Sequence, residues 1–237
     1  MRTTASRRQI VGALMMLAIA PAAIKLALAA EDAVPLPPPA QDATTSDGYQ
    51  TAVLAGGCFW GVQGVYQHTK GVIDAISGYA GGDAKTATYD QVSTGQTGHA
   101  EAVEIRFDPK QISYGKILQI FFSVVHDPTQ LNRQGPDIGS QYRSEIFTTT
   151  DEQAKIANAY IAQLSAAKAF KAPIVTKLAP LTKFYRAEAY HQNYMAINPN
   201  QPYILFNDRP KVDNLKHLFA ADYRDKPVLV RDTKMSN

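Results

Sequence analysis

The chain has 237 residues but only one cysteine, Cys58, and one tryptophan, Trp60. A lone thiol excludes an internal disulfide, a thiolate zinc site and an iron–sulfur cluster, so Cys58 is either an inert buried side chain or a reactive one. Charged residues are few, at 19% against 45% hydrophobic. That balance excludes a disordered, collagen-like or coiled-coil chain and leaves a globular protein of one large domain or two small ones. Acids are absent from the first 30 residues, where Arg2, Arg7, Arg8 and Lys25 lie. The formal charge of +3 is therefore misleading, because setting those four aside from the 24 bases leaves 20 against 21 acids. A near-neutral body has little electrostatic attraction for nucleic acid or an anionic membrane, and neither is an expected partner.

What the first residues do contain reads as an export signal over 1–29. A basic stretch precedes an apolar run from Ile10 to Ile24, followed by Ala27-Leu28-Ala29. The run, about 15 residues, is short for a spanning helix of about 20, and the small residues suit cleavage after Ala29. Ser6-Arg7-Arg8-Gln9-Ile10-Val11 resembles the twin-arginine export motif, which implies a bacterial periplasmic or secreted protein. Residues 30–50 have no period of 2 or 3.6 and carry Pro35, Pro37, Pro38 and Pro39. They are expected to form a flexible Pro/Ala-rich tether. Residues 51–237 then make a single catalytic domain.

Within that body, Thr51 to Ala55 reads as a strand broken by Gly56-Gly57, and Val62, Val65 and Tyr66 fall at helical spacing after it. Val72 to Tyr79 is strand-like, and Ala102 to Phe107 alternates with Val103, Ile105 and Phe107 on one face. Ile117, Ile120, Phe121 and Val124 mark a second helix, and Arg143 to Thr149 a fourth strand. Thr150 and Gln153 have capping-box spacing for a third helix with Ile156, Ala159, Tyr160 and Leu164 inward. A strand near 174–178 and a helix near 187–196 follow. The order predicts an α/β (α+β) fold: a ferredoxin-like β-α-β-β-α-β two-layer sandwich with extended loops at 80–98 and 126–141 and C-terminal additions.

Gly56-Gly57-Cys58-Phe59-Trp60-Gly61 sets a cysteine between a strand and the first turn of a helix. There, unpaired N–H groups and the helix dipole favour a thiolate, and Phe59 and Trp60 can wall an apolar pocket. The same pattern also suits a small buried hydrophobe with two core aromatics.

Several motifs together resemble the A type of peptide methionine sulfoxide reductase over about residues 51–200. They are Gly57-Cys58-Phe59-Trp60-Gly61, Gly78-Tyr79-Ala80-Gly81-Gly82, Thr88-Tyr89-Asp90-Gln91-Val92, Gly98-His99-Ala100-Glu101-Ala102-Val103, His126-Asp127-Pro128-Thr129 and the run from Gln134 to Ser144. The resemblance implies reduction of methionine S-sulfoxide, free or in proteins, through a Cys58 sulfenic acid. A sulfoxide sulfur is electrophilic only when its oxygen receives a proton, so an acid must face Cys58. By strand parity Glu101 shares the face of Val103, Ile105 and Phe107, where desolvation would keep it protonated. The resemblance further implies that Tyr89 and Tyr142 hydrogen-bond the sulfoxide oxygen, that Asp137 holds polar groups there, and that Phe59 and Trp60 hold the substrate methyl group. His99 and His126 are expected to fix loops. Tyr190-His191-Gln192 also resembles a family segment, although Arg186 and Ala189 depart from the residues often found beside it.

The family's resolving cysteines have no counterpart in this chain, and Ser93 stands where some members carry one. No bound cofactor or metal is implied. Turnover then depends on an exported thiol reductant of the thioredoxin, glutaredoxin or glutathione type acting on a monomer. The competing reading is a cysteine hydrolase or acyltransferase with His99 or His126 as base.

Overall fold

The computed structural model describes residues 32–43 and 47–231, so the expected export signal lies outside the described residues. Strand β1 (Gln50–Gly56) leads into helix α1 (Phe59–Gln67), β2 (Val72–Ala80), a short α2 (Tyr89–Val92) and β3 (Ala100–Phe107). Helix α3 (Tyr114–Ile120) follows, then a two-residue hairpin of β4 (Arg133–Gln134) and β5 (Asp137–Ile138), β6 (Ser144–Thr148) and α4 (Asp151–Ala166). The chain ends with β7 (Lys177–Pro180), β8 (Phe184–Arg186), α5 (Tyr194–Ile197) and α6 (Arg209–Leu218). Six strands form a mixed sheet in the order β7-β6-β1-β3-β2-β8, in which only the β6–β7 pair is parallel.

The alternation of β3 divides the core. Val103, Ile105 and Phe107 join α1, α3 and α4 in one large cluster, and Ala100 and Ala102 join a smaller one with Val53, Ala55 and Phe147 on the opposite face. Helix α3 starts where Ser113 accepts the Lys116 N–H, and then runs into a π-helical turn at Phe121–Val125. At the start of α4, Thr150 accepts the Gln153 N–H at 3.1 Å. The Gln153 amide oxygen reaches back to the N–H of Thr149, one residue earlier than the capping box requires. The inward face of α4 carries Ala157 rather than Ala159 beside Ile156, Tyr160 and Leu164.

Three expectations need correction. Residues 34–42 are not a free tether. Leu36 is buried against α3 and α4, its carbonyl accepts from Gln119 at 2.7 Å, and the Pro37 carbonyl accepts from Tyr160 at 2.8 Å. Asp42 then accepts from Ser113 and from the Gly115 N–H at the start of α3. Prolines made this strap extended without stopping it from docking, because a polyproline segment has free carbonyls that side chains on a helix face can satisfy. The helix expected near 187–196 is an extended segment with a 3-10 turn at Ala189–His191 and only α5 after it, separated by Asn193 in the left-handed region at φ 57°. The strand expected near 174–178 lies later, as β7.

Candidate active site

Cys58 is the N-cap residue of α1, at the point where β1 leaves the sheet. Gly57 turns the chain there with φ 91°, and a Cβ at this position would stand 2.7 Å from Gln134 on β4, so only glycine fits. Gly61 is equally constrained: a Cβ would meet the carboxylate of Asp208 at 2.3 Å. These two glycines set the Cys58 turn against the β4–β5 hairpin on one side and the segment leading into α6 on the other.

Glu101 faces Cys58 from the start of β3 and is 2% exposed. One carboxyl oxygen accepts the Phe59 N–H at 3.0 Å, and the carboxyl lies close enough to the Cys58 thiol for the two groups to shift each other's pKa. Burial pushes its pKa up to about 8, against the opposing pull of the Phe59 N–H, so it is a neutral acid at pH 7. The thiol differs from the sequence expectation. Burial first, then the neighbouring Glu101 and Asp208, push Cys58 well above the usual thiol range, and the backbone N–H of Trp60 offsets only part of this. The helix start does not outweigh desolvation, so the resting group is a thiol next to a carboxylic acid.

The other expected residues converge here. Burial, followed by the charges of Glu101 and Cys58, raises the pKa of both Tyr89 and Tyr142, which are therefore neutral phenols. Among the described residues neither hydroxyl is committed to a hydrogen bond. Asp137 accepts from the hydroxyl of Tyr203, and burial raises its pKa. Phe59 packs against Tyr79 and His191 at centroid distances of 5.9 and 5.0 Å. Trp60 stacks on Tyr194 at 3.8 Å with the rings 8° apart and meets the edge of Tyr203 at 5.9 Å.

His99 bonds the Asp83 carbonyl, and His126 bonds Ser144 and the Phe121 carbonyl. Burial lowers the pKa of His126 to about 3. Both rings hold loops, which leaves the hydrolase reading without the base it required.

Several residues of the site were missed in the sequence. Arg143 donates to the carbonyls of Gly98, His99 and Ser140 and pairs with Glu145 at 2.5 Å, tying the Tyr142 loop to the start of β3. Glu188 accepts from the Tyr79 hydroxyl at 2.8 Å and from the Tyr89 N–H at 2.9 Å, which holds Tyr89 in place. Tyr203 and Asp208 come from beyond residue 200, and fully buried Asp208 lies 3.4 Å from Lys211 with its pKa pushed up to about 6, mainly by burial. The available signal for that region was the spacing of Val212, Leu215 and Phe219 after Pro210, a helix start that would have extended the folded domain. Among the described residues no group of three or more His, Cys, Asp or Glu side chains is arranged to hold a metal ion.

Residues 50–223 match the family model described as peptide methionine sulfoxide reductase, which extends the likeness past residue 200. The chain is 58% identical over 189 residues to the peptide methionine sulfoxide reductase MsrA 2 of Mesorhizobium japonicum, covering 80% of this chain and 97% of that one. Its structure is similar to Mxr1 from Saccharomyces cerevisiae in reduced form, with TM-score 0.59, 31% identity and coverage of 68% and 92% of the two chains. It is also similar to methionine sulfoxide reductase A of Corynebacterium diphtheriae, with TM-score 0.56, 33% identity and coverage of 72% and 86%. With the fold, the buried Cys58–Glu101 pair and these relatives in agreement, the chain belongs to the peptide methionine sulfoxide reductase family and is an oxidoreductase that reduces methionine sulfoxide.

Proposed function

We propose that Cys58 takes the oxygen of a methionine S-sulfoxide while Glu101 relays the proton, and that an external thiol then regenerates the enzyme. The observation that carries this reading is the buried Glu101 carboxyl, with pKa about 8, held by the Phe59 N–H directly beside the Cys58 thiol. As the Cys58 sulfur attacks the sulfoxide sulfur, Glu101 gives its proton to the sulfoxide oxygen and receives the thiol proton. The S–O bond to methionine breaks, the oxygen passes to Cys58 as a sulfenic acid, and methionine leaves. The tyrosines Tyr89 and Tyr142 are free to donate to the sulfoxide oxygen, Phe59 and Trp60 enclose the methyl group, and Asp137 with Tyr203 closes the polar side.

A first external thiol then displaces water from the sulfenic acid to form a mixed disulfide, and a second releases Cys58 as the thiol. The chain's single cysteine makes both thiols intermolecular. We read the β-α-β-β-α-β core as ferredoxin-like, because strands β6-β1-β3-β2 adjoin in that order and pair antiparallel. The export signature at 1–29 supports a periplasmic or secreted location, where the enzyme, which we read as a monomer, meets an exported reductant.

The test is stoichiometry. Reductant-free enzyme given excess methionine S-sulfoxide is expected to form one methionine per chain and a dimedone-trapped Cys58, and Cys58→Ser none. Two methionines per chain would show a second reducing group and overturn the cycle. Replacing Arg7 and Arg8 by Lys is expected to block export, and recovery of wild-type full-length chain in the cytoplasm would count against the assigned compartment.

A further inference from the structure

We propose that Asp208 and Lys211 are a positioning pair that sets a fixed negative charge against the first turn of α1 and so keeps both protons of the Cys58–Glu101 relay in place. This rests on the two-proton reading of that relay.

Local sequence does not explain where these side chains point. Asp208 closes a π-helical turn, Ile204–Asp208, and is the N-cap residue of α6, where an aspartate ordinarily accepts a backbone N–H of its own helix. It makes no such bond. Its carboxylate lies instead against α1, in the space left by the absent side chain of Gly61, one turn after Cys58. A Cβ there would stand 3.0 Å from Nζ of Lys211 and closer still to the Asp208 carboxylate, so Asp208 is the nearer of the two to the turn. Asp208 is fully buried and Lys211 is 6% exposed. One carboxylate oxygen lies 3.4 Å from the ammonium, and the other has no hydrogen-bond partner among the described residues. Desolvation offsets most of the attraction within a buried pair, so stability alone gives little reason for this one.

Charge gives the reason. The start of α1 carries the positive end of its dipole, which favours a thiolate at Cys58. A carboxylate against the same turn opposes that pull and also disfavours ionisation of Glu101, and the charge of Asp208 raises the pKa of both groups. Lys211 supplies the counter-charge, without which a buried aspartate would take up a proton near neutral pH. The other groups around the thiol leave this task largely open. Tyr89, Tyr142 and Tyr203 are neutral phenols and His126 is a neutral ring. Asp137 on β5 adds a second negative charge, which acts less on Cys58 than Asp208 does and more on Glu101.

The test reads the thiol directly, because iodoacetamide can alkylate only one cysteine in this chain. Asp208→Asn keeps the shape and removes the charge. We expect it to speed alkylation of the folded protein about threefold to tenfold between pH 7 and 9, the effect of a thiol pKa lower by about half to one unit. The high-pH decline of single-turnover methionine formation should move down by a similar interval. Should the lone buried cation prevent folding, Asp208→Asn with Lys211→Met removes both charges and should still alkylate faster, because the nearer charge is the negative one. A pair that only braced the turn would lower the urea midpoint and leave alkylation unchanged. Wild-type alkylation in folded Asp208→Asn, or in the double variant if that alone folds, overturns the proposal. Faster alkylation with an unmoved methionine-formation profile would leave the charge effect on the thiol and refute the two-proton relay beneath it.

Discussion

Glu101→Gln isolates the proton that the mechanism requires. The amide oxygen of Gln can still accept the Phe59 N–H, so the local bond at 3.0 Å survives and only the titrating group is lost. With a pKa of about 8, roughly nine in ten wild-type carboxyls are protonated at pH 7 and roughly one in ten at pH 9. The reactive enzyme carries two protons, on Cys58 and Glu101, because the relay returns one as it spends the other. Single-turnover methionine formation should therefore fall about tenfold between pH 7 and 9 in the wild type. Glu101→Gln should be slower by roughly 10²-fold or more at pH 7 and lose this decline. The stability profile follows from the same pKa. Since the folded value lies above the ordinary 4.5, the folded state binds more protons between about 4.5 and 8, and stability falls as pH rises through that window and levels off above it. The fall is on the order of a few kcal/mol, at about 1.4 kcal/mol per unit, and should be missing from urea midpoints of the variant. A wild-type rate that holds or rises through pH 8 would assign the chemistry to a one-proton form and refute the relay.

Gly57→Ala should lower the urea midpoint by the equivalent of at least ~1–2 kcal/mol, because φ 91° disfavours a Cβ that must also displace Gln134; an unchanged midpoint would mean that the turn is not so constrained. Leu36→Ala should destabilise the fold by about 2 kcal/mol if the strap belongs to the core, and a loss under about 0.5 kcal/mol would return residues 34–42 to the status of a tether. Tyr203→Phe removes the donor to Asp137 and should cut kcat/KM for a peptide sulfoxide about threefold to tenfold, whereas wild-type efficiency would place Asp137 outside the working site.

Much of the fold was legible because local patterns carry it. The alternation of β3 placed Glu101 on the helix-covered face, and the apolar spacings of α1, α3 and α4 matched buried faces. The glycine break before Cys58 likewise marked the strand-to-helix turn. The segments that were misread are those whose conformation depends on partners far along the chain. The 34–42 strap looked free because the helix side chains that satisfy its carbonyls, Gln119, Tyr160 and Gln163, lie about 80 to 125 residues away. The 187–196 segment looked helical, yet Gln192 bonds Ser77 and Gln63, and those strand and helix contacts outweigh local propensity.

The sequence by itself determined which thiol can react, since there is one, and which acid shares its face, since strand parity is local. It also determined the need for an outside reductant, which follows from counting cysteines. Only the tertiary structure decided the protonation states. Cys58 at a helix start reads as a thiolate, but burial beside Glu101 and Asp208 makes it a thiol, because desolvation depends on atoms brought in from β3 and from the segment leading into α6. It also decided which side chains close the pocket. Glu188 and Tyr203 have no periodicity to mark them, and they became visible only when Tyr89 and Asp137 were seen to be their partners.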